Sequence, residues 1–405
     1  MSRELRYGDG GTIRVDLSRN AILADFATPR GTPLDDPAAA VAAAISHPLE
    51  FPPLASATIP GDRVVLALDQ CIPQAAQIVA GVVHTLLEGA TTAKDISIVL
   101  ADGEWVTDPI GQLPSSIAKD IKVSQHDPSD SNSLSYLAAS REGKPIYFNR
   151  QVFDADVVMP ISTLRLEQAL GYLGVHGGLF PTFSDEATRR RFRAPSSQDW
   201  EVHRRRRREE VDEAVWLLGV QFTIQVAPGP GDTVLHVLAG DAHAVSNRGR
   251  QLCEAAWMHT SPRRANLVVA TIEGGPEQQT WENFARALFA ATGAVAEGGV
   301  ILLCTDLKCL PGPALQRLTS ADDEEQALRE IRRDRSSDAI SAALLADAKR
   351  RASIYLLSGL DSDFVEDLGV GYVSEPDEVT NFSRHFESCI LLGNAQHAVL
   401  STVQD

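Results

Sequence analysis

Residues 63–87 read RVVLALDQCIPQAAQIVAGVVHTLL, and this stretch decides the class of fold. The uninterrupted apolar run at 64–68 has the length and composition of a strand that is buried on both faces. The segment that follows, 74–87, places apolar residues at helical spacing and therefore predicts an amphipathic helix. A buried strand followed directly by such a helix is typical of a parallel sheet with crossover helices.

The same alternation continues towards the C-terminus. Further buried strands are predicted at 95–101 and 156–161. The segments 220–226 and 234–237 flank the residues APGPGD at 227–232, which are a strong turn signal. These two segments therefore predict an antiparallel hairpin that ends the first unit.

A second α/β unit is predicted after residue 260. Its strands are predicted at 266–271, 300–305 and 353–358, and its helices at 281–291, 323–333 and 337–348. We therefore predict an α/β protein with two α/β domains. The N-terminal domain is placed at 1–260, the C-terminal domain at 261–385 and a C-terminal tail at 386–405, whose return to the N-terminal domain is left open.

The segment 182–208 differs in kind, because it contains nine arginines and little periodicity. We predict a mobile surface segment that leads into an arginine-rich helix. The five arginines at 204–208 are followed at once by acidic residues, which favours a solvated helix with internal ion pairs over a site for an anionic partner. The role of 189–208 is left open.

Composition excludes several classes of protein. The 405 residues carry 37 basic and 54 acidic side chains, and a net charge of −17 argues against nucleic-acid binding. Five scattered cysteines form neither a disulfide framework nor a zinc pattern, so we expect a reducing compartment. No segment has the roughly 18 apolar residues of a membrane helix, and 1–20 lacks the apolar core of a signal peptide. We therefore expect a cytoplasmic protein without membrane or nucleic-acid partners; homo-oligomer formation is left open.

Lysine is scarce in this chain. Only six of the 37 basic residues are lysines, and none lies between Lys144 and Lys308. Chemistry that needs a lysine amine, such as a Schiff base or a covalent tether, therefore cannot be placed in the middle of the chain.

Ligands of open α/β sheets bind at the carboxyl ends of strands, and two short loops there carry acids. In the loop 69–73, Asp69 is either a ligand-facing acid or the N-cap of the next helix. In the loop 101–105, Asp102 and Glu104 are either acid–base groups or solvated surface acids.

A third loop, 171–178, contains four glycines. Gly177 and Gly178 would allow a close approach of the backbone to an anion or a cofactor, but a tight turn explains the glycines equally well. His176 is the side chain in this loop whose type titrates near neutral pH.

The order of these segments resembles the nickel-pincer lactate racemase family from about residue 6 to residue 371. Short motifs in the family's order carry the resemblance: Tyr7-Gly8-Asp9-Gly10, Leu34-Asp35-Asp36-Pro37, Pro60-Gly61-Asp62-Arg63, Ala239-Gly240-Asp241, Glu273-Gly274-Gly275 and Glu297-Gly298-Gly299. The resemblance implies two α/β domains with the active site in the cleft. It also implies interconversion of D- and L-2-hydroxy acids by hydride transfer on a nickel-bearing nucleotide cofactor. In the family a lysine tethers this cofactor, one histidine binds nickel and two more act as acid and base.

The reactive residues of the family are largely replaced in this chain. The arginine of the family's first loop is Ile72, and the two acid–base histidines fall at Trp105 and Leu170. The tether lysine falls at Phe180, and no histidine is found at the nickel-ligand position. Of the replacements at these positions, only Arg286, at the position of the family's substrate-binding lysine, keeps its charge.

These observations lead to the hypothesis of a divergent lactate racemase-like protein that binds a small anion in the interdomain cleft, without the tethered cofactor. If it is active, we expect an isomerase of a 2-hydroxy acid or a similar anion; the alternative is a catalytically silent relative that binds a ligand or a partner. The cofactor is left unknown and no metal ligand is assigned. The candidate site residues are Asp69, Glu104 and His176 for catalysis, Trp105 and Arg286 for the substrate, and Gly177 and Gly178 for a cofactor.

Overall fold

The computed structural model describes residues 2–18, 21–28, 30–166, 172–193, 200–321 and 323–403. Within these residues the chain forms two six-stranded sheets with helices packed on them, which confirms the predicted α/β fold. None of the helices in this part of the chain is long and apolar enough to cross a membrane.

The strands are β1 (Ser2–Tyr7), β2 (Gly11–Asp16), β3 (Ile22–Phe26), β4 (Val64–Leu68), β5 (Ile96–Leu100), β6 (Lys122–Gln125), β7 (Leu134–Ala139), β8 (Pro145–Asn149), β9 (Val157–Thr163), β10 (Phe222–Pro228), β11 (Val234–Asp241), β12 (Met258–Ser261), β13 (Ala265–Thr271), β14 (Val295–Cys304), β15 (Ala352–Leu357), β16 (Gly371–Val373), β17 (Cys389–Leu392) and β18 (Val399–Thr402). The helices are α1 (Pro37–Ser46), α2 (Leu54–Ala57), α3 (Ala75–Glu88), α4 (Ser115–Ala118), α5 (Arg150–Asp154), α6 (Glu186–Phe192), α7 (Trp200–Leu218), α8 (Ala242–Trp257), α9 (Trp281–Thr292), α10 (Pro313–Thr319), α11 (Glu324–Asp334), α12 (Ala339–Arg351), α13 (Ser362–Asp367) and α14 (Pro376–Ser383).

The first sheet has the order β11-β10-β9-β4-β5-β6. Strand β4 pairs in parallel with β5 and β9, and all five of its residues are buried, as the apolar run predicts. Helix α3 follows β4 and buries Ile78, Val79, Val82 and Val83 against this sheet. The predicted hairpin is confirmed, because β10 and β11 pair antiparallel around the turn.

The second sheet has the order β16-β15-β14-β13-β17-β3, and all of its neighbouring strands are parallel. Helices α9 and α12 bury Phe284, Leu288 and Leu345 in the core on one face of this sheet. The strands and helices predicted after residue 260 are all present, with bounds that differ by a few residues.

The N-terminal segment belongs to the second sheet. Strand β3 pairs in parallel with β17, and the hairpin of β1 and β2 buries Leu5, Ile13 and Val15 in the core on the other face of that sheet. The predicted domain 1–260 therefore needs a correction, because the described residues 2–18 and 21–26 pack with the C-terminal domain. The physical reason is that β3 finds its partner more than 360 residues later, and a local pattern of apolar residues contains no information about such a pairing.

The segment 386–405 begins in the second sheet and then crosses to the first domain. After β17, the Asn394 side-chain oxygen accepts a hydrogen bond from the backbone N–H of Gly231 at 2.8 Å. The ring of His397 lies 5.3 Å from the ring of Trp257, and β18 then pairs with β12. This segment therefore joins the two domains.

The arginine-rich segment forms α6 and the first part of α7 in the residues that are described. Helix α7 buries Val211, Ala214 and Val215 in the first domain, so it is anchored to that domain. The Arg191 and Glu210 side chains pair at 2.5 Å across the two helices. The ion pairs predicted within the arginine-rich helix are represented by Arg205 and Glu209, whose side chains lie 3.9 Å apart.

His259 in β12 makes the stability of this fold sensitive to acid. Its ring is 2% exposed and stacks on Phe26 of β3 at 4.5 Å, and burial lowers its pKa to about 4 from the usual 6.5. Below pH 6.5 His259 becomes protonated in the unfolded chain, whereas in the folded chain it stays neutral until about pH 4. The free energy of unfolding therefore decreases as the pH falls from 6.5 to 4. From pH 7 to pH 5, this cost reaches about 2 kcal/mol.

We expect His259→Phe to remove this part of the acid sensitivity, because phenylalanine can keep the stacking and cannot bind a proton. Urea unfolding at pH 7 and pH 5 measures the effect, and His84→Gln on the exposed face of α3 is the control. Equal losses of stability in the wild type and in His259→Phe would contradict the prediction.

Candidate functional site

A cavity of about 610 Å³ lies between the two domains, at the carboxyl ends of their parallel strands. The first domain contributes the loops after β4, β5 and β9 together with residues 172–182, and the second contributes the start of α9, the loop after β14 and the start of α12. This volume is within the range of small-molecule sites. The predicted positions at the carboxyl ends of β4 and β5 therefore border one common cavity.

Asp69 follows β4 directly and lines the cavity. Its Oδ1 accepts a hydrogen bond from the Gln70 backbone N–H at 2.8 Å. Burial raises the pKa of this carboxyl to about 6, and the negative charge of Glu282 acts in the same direction, whereas Arg165 and Arg286 oppose the shift. Asp69 is therefore a group in the cavity that changes its protonation near neutral pH.

The glycine-rich loop packs directly over Asp69. A Cβ atom on Gly178 would lie 2.5 Å from the Ser162 Cβ and 3.4 Å from Oδ2 of Asp69, so the position has no room for a larger residue. Gly177 and Gly178 both line the cavity. Both candidate cofactor-binding glycines thus lie at the cavity wall, and Gly178 provides the close backbone approach that the loop suggested.

Arg286 of α9 enters the cavity from the second domain. The helix begins at a Thr280 N-cap, which places Arg286 in its second turn. The Arg286 side chain is only 7% exposed; its Nη1 donates to Asn283 Oδ1 at 2.8 Å and its Nη2 contacts Glu282. Its Nε is buried and has no hydrogen-bond partner among the described residues.

Arg165 enters the same cavity from the first domain, two residues after β9. Its Nη1 is also buried without a hydrogen-bond partner in the described part of the chain. Burial lowers the pKa of Arg165 to about 10, and the positive charge of Arg286 contributes to this shift. The predicted strand ends at residue 161, four residues before Arg165. With the observed end at Thr163, Arg165 lies at the carboxyl end of the strand, where ligands of α/β sheets bind.

Two further arginines reach the cavity from α6. Arg189 pairs with Asp102 at 2.7 Å, and Arg193 lies 3.8 Å from Glu186. Asp102 is therefore engaged in an ion pair that holds α6 against the loop after β5. Part of the segment 189–208 thus contributes to the wall of the cavity.

Three of the candidate site residues do not line the cavity. Glu104 is exposed, and the indole N–H of Trp105 donates to the Ala101 carbonyl at 2.9 Å while its ring packs against the first domain. His176 contacts Asp212 of α7 through Nδ1 at 2.8 Å. The structure therefore brings together Asp69, Arg286, Gly177 and Gly178, and it separates Glu104, Trp105 and His176 from them.

Comparison with known proteins relates one part of the sequence to a family and the fold to solved structures. Residues 7–194 match the family model described as the lactate racemase N-terminal domain. The match covers 188 of the 405 residues, so the resemblance to this family is shown for that part of the chain. No curated protein sequence matches the chain.

Two of the solved structures that resemble the fold of this chain match it over nearly its whole length. The lactate racemase apoprotein from Thermoanaerobacterium thermosaccharolyticum has a TM-score of 0.80 and 13% identity, and the match covers 99% of this chain and 100% of that chain. A structural-genomics protein from Thermotoga maritima has a TM-score of 0.65 and 13% identity, with coverage of 92% and 99%.

The residues of this chain do not fit the tethered nickel cofactor that the family resemblance implies. Phe180, at the tether position, is 0% exposed and packs against Phe148 and Phe192, with ring centroids 5.5 and 5.7 Å away. Leu170, at an acid–base position, lies outside the described residues. Among the described residues, no group of three His, Cys, Asp or Glu side chains could hold a metal ion.

The raised pKa of Asp69 makes the stability of the protein depend on pH. The pKa of Asp69 is about 6 in the folded chain and about 3.8 in the unfolded chain. As the pH rises, the unfolded chain therefore loses this proton before the folded chain does. Stability is therefore lost as the pH rises from about 4 to 6. The loss reaches up to about 3 kcal/mol at pH 7.

We expect Asp69→Asn to stabilise the protein at pH 7 and to leave its stability at pH 4 unchanged. Urea unfolding at both pH values measures the difference, with Asp367→Asn on the exposed end of α13 as the control. A variant that is less stable than the wild type at pH 7 would show that the ionised carboxylate is stabilising.

Proposed function

We propose that this chain binds a small carboxylate anion in the interdomain cavity, through Arg165 of the first domain and Arg286 of the second, and that it does so without a tethered nickel-pincer cofactor. One observation carries the proposal: each of these arginines has a buried nitrogen without a hydrogen-bond partner in the described residues. Both residues line the same cavity.

The energetics of burial support an anion as the missing partner. A buried donor of a charged group that makes no hydrogen bond costs on the order of 1–3 kcal/mol or more. A carboxylate satisfies guanidinium N–H groups with short, charge-assisted bonds, often two at a time. Because Arg165 and Arg286 come from different domains, an anion bound to both would also hold the domains together.

Asp69 supports a second candidate function, which is catalysis of proton transfer on the bound anion. A carboxyl group with a pKa of about 6 is present in both protonation states near neutral pH, which suits a general acid or base. On this proposal, activity would be that of an isomerase of a 2-hydroxy acid or a similar anion. The replaced tether and acid–base positions favour the binding role over the hydride chemistry that the resemblance implies.

Isothermal titration calorimetry with L-lactate and D-lactate at pH 7 and constant ionic strength tests the anion site. We expect Arg165→Gln and Arg286→Gln each to weaken binding by about tenfold or more, because each substitution removes a charge-assisted hydrogen bond. Arg141→Gln is the matched control, because the Arg141 side chain is 89% exposed and pairs with Glu213 on the surface. Equal affinities in the wild type and in the two cavity variants would exclude this site.

Intact mass and nickel analysis test the cofactor part of the proposal. We expect the purified chain to have the mass of the bare polypeptide and to contain nickel far below one ion per chain, because Phe180 offers no amine for a tether. A lactate racemase matured in the same host is the positive control. A covalent adduct, or one nickel ion per chain, would contradict the proposal.

A further inference from the structure

Glu282 lines the cavity beside Arg286. It is the second residue of α9, one helical turn before Arg286, and its carboxylate contacts Nη2 of that arginine. The Glu282 side chain is 61% exposed, whereas the Arg286 side chain is 7% exposed. The Glu282 carboxylate is therefore the solvent-exposed partner of a buried guanidinium group.

The charges around Glu282 are those that a bound anion would meet. The positive charge of Arg286 holds the pKa of Glu282 below its usual range, although burial acts in the opposite direction. Arg165 and Arg193 lower the pKa further. The Glu282 carboxylate is thus ionised at neutral pH and lies in the combined field of three guanidinium groups.

We infer that Glu282 is a built-in competitor for the anion site, which occupies Arg286 in the free protein and must release it when a ligand carboxylate binds. The inference rests on the proposed function, because it assigns Arg286 to the ligand. Because Glu282 is the exposed partner of this pair, its carboxylate can turn into solvent when a ligand binds, so it lowers the affinity for anions without closing the site. The residue thereby excludes weakly held anions from Arg286.

Two substitutions at position 282 distinguish direct occupation of Arg286 by the carboxylate from a general effect of its negative charge on the cavity. Glu282→Gln removes the charge and keeps the shape, whereas Glu282→Asp keeps the charge and shortens the reach to Arg286. Asp102→Asn is the matched control, because Asp102 is another partly exposed carboxylate of the same cavity and pairs with Arg189 instead.

The experiment measures the dissociation constants of L-lactate and D-lactate by calorimetry at pH 7 and constant ionic strength, with thermal melting as a check of folding. We expect Glu282→Gln to bind the lactate enantiomer that the wild type prefers about three- to tenfold more strongly than the wild type does. Glu282→Asp should bind it at least twofold more strongly, and Asp102→Asn should stay within twofold of the wild type.

Two results would overturn the inference. One is a Glu282→Gln variant that binds no more tightly than the wild type. The other is an equal increase in affinity for lactate in Glu282→Gln and Asp102→Asn, with no change in Glu282→Asp. That result would indicate that the negative charge acts only through the electrostatic potential of the cavity. If the wild type binds and loses binding in Arg286→Gln, either result leaves the proposed function intact. Absence of binding in the wild type and in Glu282→Gln would reject the proposed function together with the competitor.

Discussion

The candidate site depends on the direction of the strands in the two sheets. Strands β4, β5 and β9 run in parallel, so the residues that follow them emerge at one edge of the first sheet. In the second sheet, the segments that follow β13 and β14 supply α9 and the loop at the opposite wall. Asp69 and Arg165 therefore face Arg286 across one cavity, although more than 100 residues separate Arg286 from either of them.

The sequence predicted those parts of the fold that local patterns determine. The apolar run at 64–68, the helix after it and the hairpin around 227–232 are all confirmed, because burial and turn geometry act over a few residues. The position of β3 in the second sheet could not be predicted, because it depends on pairing with β17. At the site, the strand-end rule placed Asp69 at the cavity. His176 was selected by its residue type in the glycine-rich loop and Trp105 by matching the motifs of the family, and both side chains turn to other partners.

Shape and chemistry are specified by different residues in this cavity. Gly178 is required by the close approach of Ser162 and Asp69, so it fixes the path of the backbone whatever ligand is bound. The charges come from side chains that can change without altering that path, as the apolar packing around Phe180 illustrates. A protein can therefore keep the outline of a family's active site while the reactive groups are exchanged.

Strand β17 has a consequence for the order in which the protein folds. It lies between β13 and β3, yet it is the last strand of its sheet to be synthesised. Until it emerges from the ribosome, β3 has no neighbour in the sheet and β13 has one unpaired edge. Such an edge can pair with other chains, so the second domain completes its fold only after translation of residues 389–392 and is exposed to aggregation during the delay.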